Sequence, residues 1–213
     1  MANNSTSHSN GNVPFKDFLK MIKNEHENIK DWKHRFNAAF EKKDRDEMSR
    51  IANSTIRSAA LHADSEEVSV YKALEQHGFK EQADKDRRDH QHVKQLMSKL
   101  EQTSINDSLE HFHKLFNEAC DLFIKHADDE EDPNVHGSLV QLRNKVSDER
   151  AAEIGEQFLK ARKMAPERPH PEAPQGGGMA QKAAAAVTKA TDMFTSANHD
   201  YAQPKHDFPS VRT

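Results

Sequence analysis

The chain has 213 residues, enough for one domain with extensions, and sets 31 Lys+Arg against 35 Asp+Glu for a net charge of −4. That mild charge lacks the basic excess of a general nucleic-acid binder, and a single cysteine, Cys120, excludes an intrachain disulfide. With no run approaching the roughly 20 apolar residues that span a bilayer and no apolar signal segment at the start, the expectation is a soluble cytoplasmic protein contacting neither nucleic acid nor membrane.

Residues 1–12 are polar and of low complexity, which predicts a disordered segment in which His8 is solvated. Pro14 suits a helix start, and Phe15, Phe18, Ile22, Ile29, Phe36 and Phe40 follow as an apolar stripe over a first helix at about 14–41. His26 falls on that stripe. Asp44 or Asp46 suits a cap for a second helix, whose inward side runs through Ile56, Ala59, His62, Ala63, Glu66, Val70 and Leu74 to a stop at Gly78. A third helix at about 81–102 carries His90, Val93, Met97 and Leu100 on one side. A fourth begins near Asn106 or Asp107 and repeats at steps of four and three through Phe112, Phe116, Ala119, Phe123, His126 and Glu130. Pro133 and Gly137 interrupt it, 138–146 suits a short helix, and Ser147-Asp148-Glu149 opens a fifth helix to about 163. Four prolines and Gly176-Gly177-Gly178 then read as a linker, with Ala183–Phe194 as an isolated or docking helix in a loose tail.

The predicted architecture is all-α: an antiparallel up-down four-helix bundle with an additional C-terminal helix and flexible ends. Its divisions are a disordered segment over 1–12, the bundle over 13–164, and a linker with a loosely structured tail over 165–213.

One pattern occurs twice. His62-Ala63-Asp64-Ser65-Glu66-Glu67 is matched by His126-Ala127-Asp128-Asp129-Glu130-Glu131, and His26 and His90 each lie 36 residues ahead of their copy. Residues four apart share a helix face, so each copy aims an imidazole and a carboxylate at one point. Six such groups on core stripes would be poorly tolerated in a plain apolar interior. Cations resolve the conflict by meeting Glu66 and Glu130 with positive charge and using the lone pairs of His26, His62, His90 and His126. Mixed imidazole and carboxylate donors suit iron, manganese or zinc. Six are too many for one tetrahedral zinc and fit two ions, each with two histidines, sharing both glutamates. Glu67 and Glu131 lie one position round the helix, as residues outside the ligand set or in solvent. Tyr71 and Cys120 are read as packing residues, and His34, His77, His92, His111, His113, His136, His170, His199 and His206 as histidines without a repeated place on a core stripe.

These residues resemble the haemerythrin-like, or HHE cation-binding, family. Its pattern places a His on the first helix, His-x-x-x-Glu on the second, a His on the third and His-x-x-x-Glu on the fourth. Ala83-Asp84-Lys85-Asp86-Arg87 leading into Asp89-His90-Gln91, and Arg168-Pro169-His170-Pro171-Glu172-Ala173-Pro174 after the bundle, resemble the fungal members, so that the likeness covers about 14–175. The resemblance implies a non-haem di-iron centre, oxo- or hydroxo- and carboxylate-bridged, with a small diatomic ligand or peroxide as its partner. The respiratory members have a fifth histidine where this chain has Lys94, so the likeness supports a di-iron site more firmly than oxygen carriage.

Three functions follow in order: a binding protein that binds, senses or buffers dioxygen, nitric oxide or iron; a di-iron enzyme consuming peroxide or nitric oxide; and a metal-free helical interaction module.

Overall fold

The computed structural model describes residues 16–134, 137–174, 176 and 178–207. The polar start with His8, the proline at 14, Phe15, His136 and the last six residues lie outside them. The described residues form eight helices and no strand: α1 (Phe18–Glu41), α2 (Arg45–Val68), α3 (Val70–Gln76), α4 (Lys80–Glu101), α5 (Leu109–Glu131), α6 (Ser138–Lys145), α7 (Asp148–Met164) and α8 (Met179–Ser196).

Short polar side chains set the helix starts. Asp17 caps α1 by accepting from the N–H groups of Leu19 and Lys20, Asp44 caps α2 at Glu47, Ser108 caps α5 at His111, and Ser147 caps α7 at Arg150. Each satisfies a backbone donor that the first turn leaves open. Gly78 sits at φ +88°, and the Phe79 N–H behind it reaches the Leu74 carbonyl at 2.9 Å, the left-handed closure that favours glycine after a helix.

The four long helices pack α1 on α2, α2 on α4, α4 on α5 and α5 back on α1, giving the expected up-down bundle. Helix α7 lies along α1 and α2. The bundle has two apolar clusters rather than one. The first gathers Ile29, Phe36, Met48, Val93, Met97, Phe112, Phe116 and Phe123; the second gathers Phe18, Ile22, Tyr71, Leu74, Ala83, Leu139, Ile154 and Phe158. Along α1, His26 falls between Ile22 of the second cluster and Ile29 of the first; along α4, His90 falls between Ala83 and Val93. A polar layer therefore divides the core at the level of the repeated histidines.

The second long helix is not continuous to Gly78. Ser69, at φ −127° and ψ −73°, separates α2 from α3. The hydroxyls of Ser65 and Ser69 turn back onto the carbonyls of Leu61 and Ser65, a contact that bends helices.

The segment expected as a loose tail makes specific contacts over its described part. Asn28 exchanges two hydrogen bonds with the backbone of His206, at 2.7 and 3.0 Å, and Ser54 does the same with Ala202, at 2.8 and 3.2 Å. Asp192 of α8 accepts from the Glu167 and Arg168 N–H groups and pairs with His170 at 3.0 Å. Side-chain partners of this kind leave no periodic trace in the sequence. No helix among the described residues is long and apolar enough to cross a membrane.

Candidate metal centre

The structure brings all six repeated donors into the polar layer. His26, His62, Glu66 and His90 are fully buried, and Glu130 and His126 are nearly so. Donor atoms of His62, Glu66, His90 and His126 lie within 4.8 Å of one another, as do those of His26, His62, Glu66 and Glu130. The two sets share His62 and Glu66. The Nε2 atoms of His26 and His62 are 3.3 Å apart, and Nε2 of His126 is 3.4 Å from Glu130 Oε2. Phe123 presses on the His26 and His62 rings at 5.6 and 5.1 Å and closes this layer on the first-cluster side.

Behind each imidazole stands a second carboxylate. Nδ1 of His26 is 2.6 Å from Glu131, that of His62 is 3.2 Å from Glu25, that of His90 is 3.2 Å from Glu67, and that of His126 is 3.9 Å from Asp89. At hydrogen-bond distance, as for His26, His62 and His90, a carboxylate at Nδ1 fixes the tautomer that leaves Nε2 free as a donor; Asp89 faces His126 from farther away. These four obey the repeat: Glu25 and Asp89 are 64 residues apart, as are Glu67 and Glu131, and as are His62 and His126. The centre is thus a pseudo-twofold arrangement of ten residues, not six. Glu67 and Glu131, expected outside the ligand set or in solvent, stand against the imidazoles of His90 and His26; Glu25 and Asp89 are not singled out by the core stripes, and extending the 64-residue comparison by one position finds both.

A cation backs each of these carboxylates. Arg162 reaches Glu25 at 2.5 Å, Lys94 reaches Glu67 at 2.9 Å, Lys85 reaches Asp89 at 2.9 Å and Lys23 reaches Glu131 at 3.5 Å. Gln181 of α8 adds a 2.6 Å hydrogen bond to Glu67. Lys94 turns away from the imidazoles onto Glu67 and Asp64. Its ammonium leaves the centre to the imidazoles.

Tyr71 is the main correction to the sequence reading. On an unbroken helix it would point roughly 140° away from Glu66, at 3.6 residues per turn. The interruption at Ser69 turns it inward instead. Its buried hydroxyl lies 2.8 Å from Glu130 Oε1, 3.1 Å from Glu66 Oε2 and 3.1 Å from His90 Nε2. It packs, as expected, but its polar end belongs to the centre.

Burial dominates the electrostatics. It holds Glu66 and Glu130 well above the usual carboxylate range, His62 and His90 well below the usual imidazole range, and His26 down at about 4. Without a cation the layer favours neutral forms. Among the atoms in it, Glu66 Oε1, Glu130 Oε2 and His126 Nδ1 are buried with no hydrogen-bond partner. Buried carboxylate oxygens without donors are rare in folded proteins unless an ion or water meets them. The residues therefore fit a bound metal. The metal-free module required these six groups at the surface or in ordinary ion pairs, and their burial with unpartnered oxygens argues against it.

The sequence model described as "Hemerythrin HHE cation binding domain" matches residues 17–133. The chain belongs to the hemerythrin HHE cation-binding family. It is also similar to an uncharacterized hemerythrin-like protein of Schizosaccharomyces pombe, with 29% identity over 163 residues that cover 75% of this chain and 72% of that one. No solved structure matches the chain. Family membership and the buried His/Glu cluster make this a metal-binding protein. Arg162 and Gln181 lie beyond the matched residues, so the additions after the family's domain reach inward to support its hemerythrin-type centre.

Proposed function

We propose that this chain holds two non-haem iron ions and uses them to bind, sense or buffer dioxygen, nitric oxide or iron. His26 and His62 would hold one ion, His90 and His126 the other, with Glu66 and Glu130 between them. Manganese or zinc suits the same donors, and iron is favoured because the family resemblance implies it. When bound, a pair of irons supplies redox electrons and open coordination positions for a small ligand.

The chain's own residues set the conditions for that ligand. Glu25, Glu67, Asp89 and Glu131 orient the imidazoles. Phe123 on one side limits water. The Tyr71 hydroxyl offers a hydrogen-bond donor inside the layer. The observation that carries this reading is the convergence of six buried donors with unpartnered oxygens on Glu66 and Glu130. Purified full-length protein should contain close to two irons per chain and show charge-transfer absorption that changes on exposure to air or nitric oxide. Loss of iron on dialysis to below one per chain would overturn it.

A second reading is a catalyst that consumes peroxide or nitric oxide. The Tyr71 phenol favours it, because a buried proton donor 2.8 Å from Glu130 is placed to serve a bound ligand. Peroxide decomposition by iron-loaded protein should then fall to background in His62→Ala. Equal rates in variant and wild type would reject it.

A further inference from the structure

The donors are sealed from solvent, so an ion must reach them along some path, and the openings in the bundle differ in charge. One groove is lined by Lys72, Lys160 and Lys182 with Asp64 as its acid. A cavity under the C-terminal segment presents Arg57 and Arg162 beside Glu25. Both carry an excess of positive groups and disfavour a cation.

A third pocket, of about 260 Å³, has the opposite character. It lies where α4 meets the end of α5 and is lined by Asp86, Asp129 and Asp132 against a single Lys85, with Ser138 and Gly137 on its far wall. Asp129 is at the mouth, with its side chain 43% exposed; Lys125 pairs with it from the solvent side at 3.1 Å, and Lys85 spans it to Asp89. Asp86 lies at the inner end and is only 3% exposed. Ser138 holds its Oδ2 at 2.7 Å. Gly137 permits the tight closure, since a Cβ there would come within 2.5 Å of the Glu130 carbonyl oxygen.

An acidic pocket alone does not make a site. Here a second observation comes from the buried side. Donor atoms of Asp86, His126 and Glu130 lie within 4.8 Å of one another, and Glu130 Oε2 is buried without a hydrogen-bond partner. Asp86 has no counterpart in the repeated pattern, because the residue 64 positions earlier is Ile22. It breaks the twofold arrangement at one end only.

We propose that Asp86, His126 and Glu130 form a transfer site through which a divalent metal ion passes from the acidic pocket into the centre. This rests on the metal centre proposed above. The ion exchanges water for the Asp86 carboxylate at the inner end of the pocket and is then taken over by His126 and Glu130. Asp129 and Asp132 raise the local cation concentration at the mouth.

The test is the loading of metal-free, full-length protein with Co(II) or anaerobic Fe(II), followed by stopped-flow absorbance and by metal content at equilibrium. Asp86→Asn keeps an acceptor for Ser138 and removes the charge. It should load at least tenfold more slowly yet reach the wild-type metal content. Asp129→Asn/Asp132→Asn, at the solvent side, should load several-fold more slowly with a flatter salt dependence. Glu153→Gln, an equal charge change on α7, should load normally. Wild-type loading rates in Asp86→Asn or in the double variant would overturn the transfer site. Equal losses of rate and final content in Asp86→Asn would do so as well, by making Asp86 a plain ligand. A wild-type chain that takes up no metal would overturn the centre itself, and the transfer site with it.

Discussion

The hydroxyl of Tyr71 on α3 lies 2.8 Å from Oε1 of Glu130 on α5. This contact crosses the bundle and exists because the chain leaves helical geometry at Ser69. One phenolic proton serves one carboxylate oxygen at a time, yet Glu66 is also only 3.1 Å away. The two carboxylates therefore need either protons or cations, and a bound metal supplies the second. Tyr71→Phe should destabilise the metal-free protein by about 1–3 kcal/mol, the range for a buried acceptor left without its donor. Metal content should be retained, and the metal-loaded form should lose less. Chemical denaturation of both forms compares the two, and an equal loss in each would place Tyr71 outside the centre's chemistry.

The carboxylates behind the imidazoles should matter nearly as much as the donors. Glu25→Gln and Asp89→Asn keep the size of the side chain and remove the charge that faces Nδ1 of His62 and of His126. Loss of such a partner lowers metal affinity by about 10–100-fold. Competition with a chelator measures this, and wild-type affinity in both variants would contradict the role assigned to the repeat.

Lys94 and Glu67 form a 2.9 Å pair with both side chains almost fully buried. Burial pushes the Glu67 carboxyl up to about 7 against the pull of Lys94. Lys94→Met leaves that carboxyl without its cation and should destabilise the fold by about 3–5 kcal/mol, as when one partner of a buried pair is removed. Adding Glu67→Gln should recover part of the loss. A single variant as stable as wild type would show the pair to be dispensable.

Much of this was legible in the sequence, for physical reasons. Apolar steps of three and four gave the long helices, and His26, His62, His90 and His126 stood out because they interrupted those stripes in a repeated register. Glu25 and Asp89 were overlooked because they sit one position off the stripe, although the same 64-residue offset marks them. The role of Tyr71 was hidden because the bend at Ser69 depends on the hydroxyls of Ser65 and Ser69 and not on hydrophobic pattern. Arg162 and Gln181 reach the centre from elements with no repeat partner, so only their tertiary contacts reveal them.

The described part of the C-terminal segment should loosen as pH rises. The Asp192 carboxylate holds the His170 imidazole above its ordinary value of 6.5, chiefly through their hydrogen bond and against partial burial, with Glu101 and Asp64 adding negative charge nearby. A group raised on folding contributes its full stability below the unfolded value and loses it as pH climbs through the folded one. After correction for intrinsic rates, amide protection of the described residues over 165–174 and 178–207 should therefore be greater below pH 6.5 than at alkaline pH, and His170→Gln should flatten the difference. Exchange that slows with rising pH, after correction for intrinsic rates, would oppose this.

The buried layer, as proposed, holds two ions. Metal content of the full-length chain, purified without added metal and compared with Glu66→Ala/Glu130→Ala, tests it most directly. The expected result is close to two irons per wild-type chain and almost none in the variant. Equal metal content in the two, or a wild-type chain that stays metal-free when offered iron, would contradict it.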